Sequence, residues 1–175
     1  MNNVQIARLL NSHRLIKPYF GGVFSADQII KQYNQLRNKF VVVNLDPSWK
    51  TGSHWVGIYF DEGKNEYFDS YGWEPPYIEF DDMLRNYKMN ACQLQHPLTT
   101  VCGQYCCFYI WRKCKGDSLK DIVSLFSRED FILNDTAVNN ALEEEFQIDL
   151  DVIDTPFLKK QISKSLEHNT KTLLK

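Results

Sequence analysis

Gln95 and Cys102 stand seven residues apart in the stretch Gln95-His96-Pro97-Leu98-Thr99-Thr100-Val101-Cys102, and Cys106 to Trp111 follow as an unbroken apolar and aromatic run. The pattern predicts a loop that delivers Cys102 to the first turn of a buried helix. Unpaired backbone N–H groups and the positive end of the helix dipole favour thiolate over thiol there, which makes the sulfur a nucleophile near neutral pH. A thiol nucleophile also needs a base, a group to orient the base, and donors for the oxyanion of the tetrahedral intermediate. His54, after the Gly52-Ser53 turn, offers the imidazole. Asp69 offers a carboxylate that can hold one imidazole tautomer and stabilise its cation. Gln95 offers an amide N–H to the oxyanion, joined by the backbone N–H of Cys102.

Each member also has a plainer reading. A single Cys in a buried helix is a small core residue, His54 an edge histidine, and Asp69 a turn residue capping the Tyr71-Gly72 loop. Gln93 competes with Gln95. Cys106 and Cys107 compete with Cys102, but they lie inside the helix, where burial raises a thiol pKa. The spacing C-x-x-x-C-C on one helix lacks the paired knuckles of structural zinc sites, so no metal ligands are expected.

The elements that must position these side chains follow from periodicity and turn chemistry. Residues 4 to 10 read as a short helix, followed by a loop at Pro18-Tyr19-Phe20-Gly21-Gly22. Ser25-Ala26-Asp27-Gln28 is a capping box that predicts a helix running to about Arg37. Phe40 to Leu45 reads as a buried strand, and His54 to Phe60 as a second. Asp61-Glu62-Gly63-Lys64-Asn65 has hairpin-turn chemistry, so Glu66 to Ser70 returns antiparallel and brings Asp69 beside His54. Residues 77 to 87 are expected as a helix, Ala91 to Gln95 as a short strand, and Cys102 to Lys115 as the central helix, capped by Gly116. Helices are expected at 119 to 126, 136 to 146 and after Thr155-Pro156. The fold class is α+β, a small, mostly antiparallel sheet flanked by helices.

At 175 residues the chain is long enough for one domain with its own core, here 1–175 with a core of about 16–115 and a helical part of about 117–175. A hydrophobic fraction of 43% and an aromatic fraction of 14% describe a globular, aromatic-rich protein. A net charge of −2 gives no case for general nucleic-acid binding, although residues 61 to 90 are acidic and 157 to 175 carry five Lys against Glu167. Five cysteines, three of them crowded on one helix, fit a reduced intracellular setting better than a disulfide framework. No secretion signal and no membrane-length apolar run is evident, so no membrane partner is expected.

Three segments, Gly52-Ser53-His54-Trp55, Tyr67-Phe68-Asp69-Ser70-Tyr71-Gly72 and Gln95 with Cys102-Gly103-Gln104-Tyr105-Cys106-Cys107, together resemble the adenain-like and SUMO-protease-like cysteine peptidases. The order His, acid, Gln, Cys is that family's, a permutation of the papain order. The Cys-Gly-x-x-Cys-Cys ending and Pro18-Tyr19-Phe20-x-Gly22 look more like the adenovirus endopeptidase. The resemblance implies a papain-like permuted fold with His54 as base, Asp69 as its orienter, Gln95 as oxyanion donor and Cys102 as nucleophile.

Trp55 matches the tryptophan that narrows the family's substrate channel. That implies cleavage after small residues such as Gly-Gly, with Gly52, Ser53 and Gly103 as further substrate contacts. The acid is Asp69, as in SUMO proteases, where adenovirus enzymes tend to carry Glu. The implied activity is viral: an endopeptidase, acting as a monomer, that cleaves capsid or core precursor proteins in the infected cell and is packaged in the virion. A deubiquitinating or deSUMOylating isopeptidase is the alternative enzyme, and an inactive binding module of the same fold the alternative from another class. Adenovirus enzymes are activated by DNA and by a viral peptide joined through a disulfide. The negative charge, and a Cys92 only three residues before Gln95, argue against both, and no cofactor is required.

Overall fold

In a computed structural model the described residues are 1–61 and 63–150. The run Phe40-Val41-Val42-Val43 is apolar on both faces because both faces are covered. In β2 (Lys39–Asn44), Phe40 and Val42 point into one core, and Val41 and Val43 into another. Four strands join β2 in one sheet: β1 (Phe20–Ser25), β3 (Trp55–Phe60), β4 (Glu66–Phe68) and β5 (Lys88–Met89), in the order β1-β2-β3-β4-β5. The central pairs, β2 with β3 and β3 with β4, are antiparallel, and the outer pairs, β1 with β2 and β4 with β5, are parallel. The protein is thus α+β, one five-stranded mixed sheet flanked by helices.

One face of the sheet carries α1 (Asn3–Ser12), α4 (Cys102–Cys114), α5 (Leu119–Ser124) and α6 (Phe131–Phe146), and the other α2 (Ala26–Gln32) and α3 (Ile78–Leu84). α4 is the hub. Its first ten residues, Cys102 to Trp111, are all buried, with Tyr109 stacked on Phe68 of β4 at a ring separation of 4.7 Å. Tyr109 donates to Glu66 Oε2 at 3.0 Å, and Lys113 Nζ donates to Glu66 Oε1 at 3.0 Å, so one charged cluster fixes α4 along the hairpin.

Several elements differ from the sequence expectation. The segment at Pro18–Gly22, expected as a loop, enters β1 at Phe20 and pairs with β2 with a register irregularity between Phe20 and Gly22. α2 stops at Gln32, followed by a 3-10 turn at Tyr33–Gln35, and Asn38 adopts a positive φ of 57°. The helix expected at 77 to 87 is only α3, and Lys88–Met89 pairs as β5. Ala91 to Gln95 is no strand: Leu94 and Gln95 donate their N–H groups to the single Ser70 carbonyl at 2.8 and 3.0 Å. α6 begins five residues before the expected Thr136, where the Asp130 carboxylate accepts from Leu133 N–H at 2.9 Å. The helix expected after Thr155-Pro156 lies outside the described residues.

Candidate active site

The β3–β4 hairpin sets the geometry. Gly57 pairs with Phe68, and continuing that register outward puts His54 opposite Tyr71 and Asp69 diagonally beside His54. His54 Nε2 lies 2.9 Å from Asp69 Oδ1, both side chains buried. The same Oδ1 accepts the Tyr71 N–H at 2.7 Å. The Asp69 backbone N–H donates to Asn90 Oδ1 at 2.9 Å, so a residue just after β5 holds the carboxylate's own backbone. Nε2 being engaged by Asp69, Nδ1 is the ring nitrogen left to face Cys102, which lines the same cleft. Burial, the largest single influence, pulls the imidazole pKa down. The hydrogen bonds and negative charges of Asp69 and Cys102 together outweigh it and raise it to about 9.

Cys102 opens α4, so its backbone N–H is among the first-turn donors that no intrahelical carbonyl can take. Its thiol lines a cleft of about 570 Å³ together with Gly52, Ser53, His54, Trp55, Tyr71 and Thr99. The other helix cysteines differ sharply. Burial pushes Cys106 well above the ordinary thiol value and Cys107 up to about 12, and all five cysteines are free.

Gln95 is fully buried, its Oε1 accepting from Ser70 Oγ at 2.7 Å and its Nε2 donating to the Thr99 carbonyl at 2.8 Å, Thr99 Oγ1 at 3.1 Å and the Tyr71 hydroxyl at 3.1 Å. Gln93, its rival in the sequence, turns its amide onto the Gln95 carbonyl at 2.9 Å and is a brace for that loop. Gly52 and Ser53 line the cleft, and Gly52 has a φ of 88°, where an added Cβ would lie 2.6 Å from the Asn44 amide nitrogen. Gly103 is buried in the first turn of α4, and a Cβ there would lie 3.1 Å from Ile6 of α1; it is not among the residues lining this cleft.

Three supports escaped the sequence reading. Asp135 on α6 is fully buried and accepts from Thr99 Oγ1 and the Tyr105 hydroxyl, each at 2.9 Å, and from the His96 N–H at 3.3 Å. Burial, the largest influence, raises its carboxyl to about 6 against the lowering pull of those bonds. Asn90 and Tyr71 complete the set. Tyr71 could have been suspected from its place two residues after Asp69, whereas Asn90 and Asp135 carry no local signal. Among the described residues, no group of three or more His, Cys, Asp or Glu side chains is placed to hold a metal ion, and no helix is long and apolar enough to cross a membrane.

No protein-family model matches the chain. It is similar to a protein of Acanthamoeba polyphaga mimivirus named "Putative thiol protease", with 33% identity over 100 aligned residues covering 47% of this chain and 32% of the relative. The match thus spans about a third of the length of that relative. Among solved structures, a crystal structure of an ASFV protease superposes with a TM-score of 0.47 at 20% identity, covering 73% of this chain and 61% of the other. Its selenomethionine form superposes with a TM-score of 0.35 at 24% identity, covering 51% and 40%.

Proposed function

We propose that the chain is a cysteine endopeptidase of the adenain and SUMO-protease type. The observation that carries this reading is the buried His54–Asp69 pair at 2.9 Å opening on the same cleft as Cys102. The relation to a viral protein named as a thiol protease supports it. With its pKa raised to about 9, His54 is a cation at neutral pH and can face a Cys102 thiolate. The thiolate attacks the peptide carbonyl carbon, and the negative charge moves to the carbonyl oxygen. The first-turn N–H of Cys102 meets that oxyanion, and the buried Gln95 amide braces the loop and the Tyr71 hydroxyl beside it. As the C–N bond breaks, His54 gives its proton to the leaving amine, leaving an acyl thioester on Cys102. His54 then takes a proton from water, whose oxygen attacks the thioester and releases the acid and the thiol.

Trp55, half-buried on the cleft wall, narrows the acyl side and favours residues without a Cβ, so sites of the Gly-Gly kind in viral capsid or core precursors are the substrates of this reading. The test is hydrolysis of a Leu-Ala-Gly-Gly-containing peptide by the chain and by Cys102→Ala. Hydrolysis that needs Cys102 is expected, and cleavage that persists in Cys102→Ala sinks the assignment. Efficient labelling by a ubiquitin-like vinyl sulfone would shift the substrate class to isopeptide bonds.

A further inference from the structure

Two amide hydrogens on Gln95 Nε2 already serve three acceptors inside the protein: Thr99 O, Thr99 Oγ1 and the Tyr71 hydroxyl oxygen. The side chain has no exposed surface. A direct N–H from Gln95 to an oxyanion would therefore require one of these bonds to break. Tyr71 is placed differently. Its side chain lines the cleft with Cys102, and its ring lies 5.0 Å from that of His54. Among the described residues, its hydroxyl hydrogen has one acceptor, at a long 3.3 Å, a Thr99 carbonyl that already takes a hydrogen from Gln95 at 2.8 Å. A phenol that accepts an N–H bond becomes a stronger donor through its own hydrogen, because aligned hydrogen bonds polarise one another.

We propose that the Tyr71 hydroxyl is a catalytic donor to the oxyanion formed when Cys102 attacks, with Gln95 as the positioning residue that polarises it from behind. This deepens the peptidase reading above and rests on it. Burial, with a contribution from the Cys102 charge, raises the Tyr71 hydroxyl to about 12, so it keeps its hydrogen across the working pH range. In this step the hydrogen leaves the long Thr99 contact for the oxyanion by turning about the phenolic C–O bond, with the Gln95 amide still bonded behind the oxygen.

The experiment compares the 175-residue chain with Tyr71→Phe in two reactions at Cys102. A peptide aldehyde ending in Gly-Gly adds the thiol across its carbonyl and places the former carbonyl oxygen where the oxyanion forms. Iodoacetamide is attacked by the same sulfur, which displaces iodide and creates no oxyanion. Tyr71→Phe is expected to weaken aldehyde binding and lower kcat by about 10- to 100-fold with KM little changed, and to leave the alkylation rate of Cys102 within about twofold. 3-Fluorotyrosine at position 71 keeps the shape with a better donor, and is expected to restore aldehyde affinity to at least that of the unsubstituted chain. Unchanged aldehyde affinity in Tyr71→Phe, or an equal loss in both reactions, overturns the proposal while leaving the peptidase reading intact. An unsubstituted chain that binds no aldehyde and alkylates Cys102 no faster than Cys92 overturns the peptidase reading and this proposal with it.

Discussion

Asp69 Oδ1 accepts both the imidazole Nε2 of His54, at 2.9 Å, and the Tyr71 N–H, at 2.7 Å, so one carboxylate oxygen ties the two sides of the hairpin mouth together. Its other oxygen, equally buried, has no hydrogen-bond partner among the described residues. The carboxylate charge is therefore directed chiefly at the imidazole. Asp69→Ala removes the second-largest influence on His54 and leaves the burial that opposes its cation. The His54 titration is expected to move down from about 9, and kcat/KM to fall by about 10²–10⁴-fold. Imidazole resonances followed by NMR against pH, beside peptide hydrolysis, check both; an unmoved titration contradicts the coupling.

The raised imidazole also fixes a pH limit. The His54 imidazolium persists until pH passes about 9, so the basic limb of the kcat/KM profile is expected near that value. Stability follows the same sign. A group raised from 6.5 to about 9 on folding contributes stability that is fully present below pH 6.5 and is lost as pH rises through about 9. His54→Ala should flatten that part of the denaturation profile, measured as urea midpoints between pH 6 and pH 10. A basic limb near 7 instead would separate His54 from the rate.

The hairpin that brings His54 to Asp69 was legible because its turn chemistry and strand periodicity are local. Cys102 at a helix start was legible for the same reason: Cys106 to Trp111 is a run that only a central helix can bury. What escaped is held by partners distant in the chain. β1 carries two glycines in six residues and is a strand because β2 supplies its ladder, not because Phe20–Ser25 favours extension. Asn90 and Asp135 act 21 and 36 residues away from Asp69 and Thr99, and no window of sequence contains both members. Gly103 follows Cys102 in sequence, but the packing of its Cα against Ile6 of α1 is set by the fold and carries no local signal.

Gly72 closes the loop after Tyr71 with a φ of 71°, and a Cβ there would fall on the Cys92 backbone, 2.6 Å from its nitrogen. Backbone cannot step aside as a side-chain tip can. Gly72→Ala is expected to cost more than about 3 kcal/mol, combining left-handed strain with the displaced Cys92 segment. Chemical denaturation of the variant gives the number. Gly63, at a φ of 79° with open space around it, is the control, and Gly63→Ala should cost about 1 kcal/mol.

Trp55 is half-buried at the start of β3 and lines the cleft beside His54. If its indole excludes bulk on the acyl side, Trp55→Ala should raise hydrolysis of peptides with Ala or Leu before the cleaved bond relative to Gly, by about 10-fold or more. A peptide series varied at that one position reads the ratio. A ratio that does not change assigns the selectivity elsewhere in the cleft.

Asp135 joins α6 to the loop that carries Gln95. Thr99 Oγ1, which receives a bond from Gln95, donates to Asp135 Oδ2, while Tyr105 of α4 donates to Asp135 Oδ1. Asp135→Asn replaces one acceptor oxygen with an NH₂ that meets a donor, leaving a buried hydroxyl or N–H unpaired at a cost of about 1–3 kcal/mol. Its effect on pH dependence has a definite sign. The carboxyl is raised from 3.8 to about 6 on folding, so between those values the folded chain holds a proton that the unfolded chain releases. The contribution of Asp135 to stability therefore declines as pH rises from about 4 to about 6, opposite to an ordinary ion-paired Asp, and Asp135→Asn should remove that decline. The cost of the substitution, read as the difference in urea midpoint, is thus expected to be larger at pH 4.5 than at pH 7. A cost that grows with pH over this range would mean that the carboxylate form is the one the fold prefers.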